Sequence, residues 1–181
     1  MTNSKKTNYV YHRVPENMTG NILYPLNNFK QKNIEIYNKE VEKYSGRERL
    51  LKLKIPILDC LWNDVLHLSP VDPSEIWHFF RSLNWGKKQQ KFYKIPVDLL
   101  DKEKIVIYLY KHKDGEKMIQ DFNFVKFDEN ILEENSKLPN KAKEYYKKSI
   151  ANNEKFLLFH RVPHVLYKGE INISDLEIIE V

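Results

Sequence analysis

The string aromatic-His-Arg-Val-Pro occurs twice, as Tyr11-His12-Arg13-Val14-Pro15 and as Phe159-His160-Arg161-Val162-Pro163. Histidine is the side chain most readily tuned for proton transfer or ligand contact near neutral pH. Arginine adds a fork of donors that matches phosphate or carboxylate. Counted by strand parity, each His shares a face with the Val two residues on, and each Arg shares the other face with the aromatic. If the two strings lie on neighbouring strands, His12 and His160 point into one cavity near the strand ends, where the prolines break the ladder. Read structurally, the same residues bond to backbone at strand ends and the repeat is coincidence.

Other constellations are weaker. His160 and His164 would be about 13 Å apart along a strand at ~3.3 Å per residue. That is too far for two ligands each ~2 Å from one zinc ion, so no metal is expected. Cys60, Asp64 and His67 have the residue types of a nucleophilic triad, but Leu58, Leu61 and Trp62 around the thiol favour a buried structural cysteine. Trp62, Trp77 and Trp85 lack the glycine-rich or basic surroundings of a base-stacking platform. Lys141, Lys143, Lys147 and Lys148 form a basic face on the last helix, which suits phosphates or plain solvent.

The elements that must position these residues follow from periodicity. Tyr9–Val14 reads as a strand ended by Pro15, after a frayed, polar tail over residues 1–8. Leu26, Phe29, Asn33, Tyr37, Val41 and Tyr44 recur at helical spacing up to Gly46, and 47–53 starts a second helix that Pro56 ends. The stretch 57–69 is ambiguous between helix and strand; a break near Trp62-Asn63 followed by a strand at 65–68 fits best. Asp72, Pro73 and Glu75 give N-cap, first helical residue and capping partner for a helix burying Ile76, Phe79, Phe80 and Leu83, with Gly86 past its end.

Strands are expected at 92–95 and 105–110, with a hairpin at Asp114-Gly115 leading to a strand between Met118 and Phe127. The apolar parity shifts from Phe122 and Phe124 to Val125 and Phe127, the mark of a bulge or a strand end. Residues 128–137 read as a loop. A helix after Pro139 buries Ala142, Tyr145, Tyr146, Ser149 and Ile150. Phe156–Val162 and Leu176–Val181 then read as closing strands, separated by a turn at Lys168-Gly169. No repeat or linker divides the chain. The expectation is one α+β domain over 9–181, with a mixed or antiparallel split sheet flanked by three to four helices.

The 181 residues are 41% hydrophobic and 30% charged, the balance of a globular protein with room for a core. No apolar run approaches the ~20 residues of a membrane span, and the polar start MTNSKKTNY lacks the apolar stretch of a signal peptide. One cysteine excludes an internal disulfide, and a cytoplasmic location is the default. The net charge of +5 suits an anionic ligand or nucleic acid without requiring either.

The order of pieces resembles the ADP-ribosyltransferase fold, shared by poly-ADP-ribose polymerases, DNA-modifying toxins and RNA 2′-phosphotransferases. Tyr11-His12 stands on an early strand, Leu68-Ser69-Pro70 precedes a helix at Asp72-Pro73, and Pro163-His164-Val165-Leu166-Tyr167-Lys168-Gly169-Glu170-Ile171 precedes the last strand. The resemblance implies a cleft for NAD, with His12 contacting its ribose and Arg13 beside it. Many members carry a catalytic Glu where His164 stands here, and Glu170 is the nearest substitute. It thus implies a binder or divergent transferase acting on NAD or a phosphorylated nucleotide or nucleic-acid end. Its site would be His12, Arg13, His160 and His164, with Tyr11, Tyr24 and Arg161 as binding walls. The rival expectation is a non-enzymatic module that holds a protein or nucleic acid through the basic helix face and exposed tyrosines.

Overall fold

A computed structural model describes residues 8–16, 18–86, 88–111 and 123–181. Its elements are β1 (Tyr9–Arg13), β2 (Ile22–Leu23), α1 (Phe29–Lys32), α2 (Ile34–Glu42), β3 (Lys54–Ile55), β4 (Cys60–Leu61), β5 (Leu66–Leu68) and α3 (Pro73–Ser82). They continue as β6 (Lys91–Pro96), β7 (Ile105–Tyr108), β8 (Phe124–Lys126), α4 (Glu129–Glu134), α5 (Asn140–Ala151), β9 (His164–Tyr167), β10 (Ile171–Asn172) and β11 (Glu177–Glu180).

Two sheets carry the fold, ordered β1-β6-β11 and β5-β9-β7-β8, and every pairing in them is antiparallel. One bridge joins them: Tyr11 and Ser69 exchange both backbone hydrogen bonds at 2.8 Å. Register then sorts the side chains. In the four-stranded sheet Leu66, Leu68, Ile105, Ile107, Val165 and Tyr167 face a core shared with Val10, Tyr93 and Ile95. The alternate residues Val106, Tyr108 and Leu166 face a second core around Trp62 and Phe124. A third, aromatic core lies where α3 and α5 pack beside Phe92 and Val162.

The sequence is read correctly where end signals are strong. Asp72 caps α3 by accepting from Ser74 N–H at 2.8 Å, with Pro73 as first helical residue. Glu75 departs from the capping pattern: its Oε2 accepts from Leu138 N–H at 3.1 Å, tying the start of α5 to α3. The left-handed residue after α3 is Asn84, at φ 53°, rather than Gly86. Asp72 also accepts from the Tyr11 hydroxyl at 3.1 Å. Asp72→Ala should therefore cost about 1–2 kcal/mol and lower Tm by about 2–8 °C. An unchanged melting curve would show that the cap contributes nothing.

Elsewhere the chain departs from expectation. The helix from Leu26 is broken at Asn33, which is extended and caps α2 by accepting from Ile36 N–H, so it lies off the apolar stripe. Residues 48–52 form only a 3-10 turn. Residues 62–64 are a second such turn before β5, in line with the expected break. The polar segment after 127 is no loop: Asp128 accepts from Asn130 and Ile131 N–H and starts α4. With these changes five α-helices, not three to four, are present among the described residues. Asn8, placed in the frayed tail, accepts from Val97 N–H at 3.0 Å. Phe156–Val162 is not a strand; the chain turns there, and the strand begins only after Pro163, at His164. The hairpin at Asp114-Gly115, the strand before Asn123, and residues 1–7 of the expected tail lie outside the described residues.

Candidate functional site

The sheet splits at the Tyr11–Ser69 bridge, and the split forms the candidate site. Continuing that antiparallel register would set His12 opposite Leu68 and Arg13 opposite His67. Instead β1 stays with β6, Val14 N–H donating to the Lys91 carbonyl, and leaves β5. A cleft of about 260 Å³ opens between the diverging strands. Tyr11, His12 and Arg13 line it from β1, His67, Leu68 and Ser69 from β5 and the residue after it, and His164 from β9. Leu158 and Phe159, from the turn before Pro163, close it with an apolar wall.

Two of the three histidines have their tautomers set by carbonyl partners, which can only accept. His67 Nε2–H donates to the Trp62 carbonyl at 2.8 Å, leaving Nδ1 with the lone pair. His164 Nδ1–H donates to the Val162 carbonyl at 2.8 Å, leaving Nε2 as the acceptor. His67 stands opposite Leu166, so His164, two residues earlier, is its diagonal neighbour on one face; the rings lie 6.2 Å apart, edge to face. His12 comes from the other side of the split, and its buried Nδ1 has no well-aligned hydrogen-bond partner among the described residues.

All three rings touch the cleft yet are surrounded by protein, so desolvation opposes their charging. His12 and His164 are pushed down to about 4. His67 is pushed down to about 3 by burial and then by the neighbouring His164. At neutral pH the cleft offers three uncharged imidazoles. Arg13 supplies the cation at its rim, in an exposed ion pair with Glu16 at 3.3 Å. Such a pair is worth at most about 1 kcal/mol, so an incoming anion can take the guanidinium over.

The expected convergence of His12 with His160 does not occur. The two strings adopt different backbones: His12 is on a strand, whereas His160 is in a turn beside Arg161 at φ 64°. His160 lies outside the cleft lining, its Nδ1 2.7 Å from the Tyr110 hydroxyl and its ring 4.5 Å from that of Tyr145. Arg161 is over the Tyr145 ring at 5.8 Å, and Tyr24 packs against Phe29 and beneath Lys32. Tyr11, His12, Arg13 and His164 are brought together in the cleft. Glu170 holds Asn28 at 3.1 Å and does not line it.

His67 lines the cleft but lies outside the expected site; the sequence set it only beside Cys60 and Asp64, in a triad that the apolar neighbours of the thiol disfavour. Asp64 instead accepts from Leu61 N–H and Asn27 Nδ2, at 2.7 and 2.6 Å. Burial pushes the Cys60 thiol up, away from nucleophilic character. The usable signal was alternation: His67 is the residue of β5 between two core leucines, so it must face away from that core. Among the described residues no group of three or more His, Cys, Asp and Glu is placed to hold a metal ion. No family model matches the chain, and no curated protein or solved structure matches it.

Proposed function

We propose that the cleft at the sheet split binds NAD or a related phosphorylated nucleotide, in the manner of an ADP-ribosyltransferase-like domain. The observation that carries this reading is the joining of His12 and Arg13 to two further uncharged histidines where the strands part. Neutral imidazoles accept from ribose hydroxyls or a carboxamide without a charge to desolvate, Phe159 offers a ring face, and Arg13 meets a phosphate. At about 260 Å³ the cleft lies just under the ~300 Å³ low end of small-molecule sites, so it suits one nucleoside unit with the remainder at the rim. No carboxylate lines it among the described residues. Such a group would be needed to steady the cationic ribose of a transfer reaction, so binding is the function this site supports.

Thermal melting tests the reading. NAD or ADP-ribose at ~100 times its Kd should add roughly 2.7 kcal/mol, raising Tm by about 5–10 °C. His12→Ala removes a ring whose buried Nδ1 has no well-aligned partner among the described residues, so the variant should fold and lose the shift. Flat curves with NAD, ADP-ribose and nucleoside monophosphates, or an equal shift in His12→Ala, would sink the assignment.

A further inference from the structure

The charge of this protein is not spread evenly. Residues 137–161 hold Lys137, Lys141, Lys143, Lys147, Lys148, Lys155 and Arg161 against only Glu144 and Glu154, a net +5. That equals the net charge of the whole chain, so the rest is neutral. The difference extends to pairing. Lys43, Lys91, Lys94, Lys102 and Lys104 each have a carboxylate within 4 Å, whereas no ion pair found among the described residues uses a lysine of this segment. On α5 the buried face is Ala142, Tyr146 and Ser149, which leaves the lysines on the remaining faces.

The basic helix is tied to the turn that walls the cleft. Lys141, Tyr145 and Lys148 are spaced i, i+4, i+7 and share one side of α5. Tyr145 on that side meets His160 edge-on and lies beneath Arg161. The turn that carries His160 and Arg161 also supplies Leu158 and Phe159, the apolar wall of the cleft. Tyr146 fixes this turn to α5 through a hydrogen bond to the Leu158 carbonyl.

We propose that this side of α5 and the turn after it form a docking surface for a single strand of nucleic acid, whose phosphates run past Lys148, Lys141 and Arg161. A flexible strand fits better than a planar anionic surface, because the lysines share a helix side with Tyr145, which holds the turn that walls a narrow cleft a strand end can enter. Docking rests on the charge distribution alone; delivery of the end nucleotide into the cleft rests on the nucleotide reading above.

The test is fluorescence anisotropy with a 12-nucleotide, 5′-phosphorylated single-stranded oligonucleotide from 50 to 300 mM KCl. Each phosphate contact contributes about −0.7 to the slope of log K against log salt. Lys141→Ala with Lys148→Ala should therefore flatten the slope by about 1.4 and weaken binding at 100 mM salt on the order of tenfold. Lys30→Ala with Lys32→Ala on α1, in the neutral remainder, should change neither. His12→Ala should keep the slope while losing the NAD-induced melting shift, and the α5 variant should keep that shift. A normal slope without any NAD shift would leave the docking surface standing and remove the cleft reading. No oligonucleotide binding at 50 mM salt, an unaltered slope in the α5 variant, or lysine-dependent binding only to phosphatidylserine vesicles would overturn the proposal.

Discussion

Lowering the pH from 7 to about 4.5 is expected to unfold this protein, or to lower its Tm by tens of degrees, well before its carboxylates are extensively protonated. His12, His67 and His164 are held neutral in the fold by burial, their proton affinities dropping to about 4, about 3 and about 4. In the unfolded chain each titrates near ~6.5. Between those values the unfolded state binds more protons than the folded one, so stability rises with pH through the window. It is complete above about 6.5 and lost as the pH falls toward 4. Each group changes stability by up to about 1.4 kcal/mol per pH unit, so three together reach about 4 kcal/mol per unit at the steepest, against a typical total of ~5–15 kcal/mol. Arg13 at the cleft rim adds to the repulsion once a ring is charged. Urea titrations from pH 8 to 4.5 measure the slope, and His12→Gln should reduce it by about a third. A flat stability between pH 7 and 5 would mean that the rings are hydrated and the cleft is wider than described.

How much of this was legible beforehand depends on how local the signal was. The cap at Asp72, the apolar face of α5 and the parity of β1 are set by neighbours within a few residues, and the chain reads correctly there. Asp128 was an equally good cap, but Glu129, Glu133 and Glu134 made the segment look like a polar loop. Its buried apolar side chain is Leu132, with Ile131 packed alongside, too short a stripe for a helical period to emerge. The apolar run at Phe156–Val162 was misread for a different reason. Its burial comes from packing on α3 and α5, not from a strand ladder, and a run of apolar residues does not say which. A strand there would carry His160 toward His12, whereas the turn carries it to Tyr110 and Tyr145. Only the long-range register from Tyr11–Ser69 through β5 to β9 brings His12, His67 and His164 together, and no spacing along the chain encodes it.

Phe80→Ala should be among the most destabilising single substitutions, at about 3–5 kcal/mol, with a fall in Tm of about 6–20 °C. Phe80 is 1% exposed and is the hub of the aromatic core. Its ring lies 5.8 Å from Trp77, 4.9 Å from Trp85, 5.1 Å from Tyr146 and 5.7 Å from Phe156. Truncation leaves a cavity bounded by rigid rings, which collapse poorly into empty space, and it forfeits edge-to-face pairs worth about 0.5–1.5 kcal/mol each. The consequence extends to the cleft. Phe156 and Tyr146 anchor the turn that carries Leu158 and Phe159, so the apolar wall is held in place by the same ring. At a temperature where the variant is still folded, nucleotide affinity should therefore fall as well, whereas Asp128→Ala, which uncaps α4 away from the cleft lining, should cost stability with little loss of affinity. Urea denaturation and nucleotide titration of the two variants separate the effects. A cost below about 1 kcal/mol for Phe80→Ala would be too small for a fully buried aromatic and would deny that this cluster is a packed core.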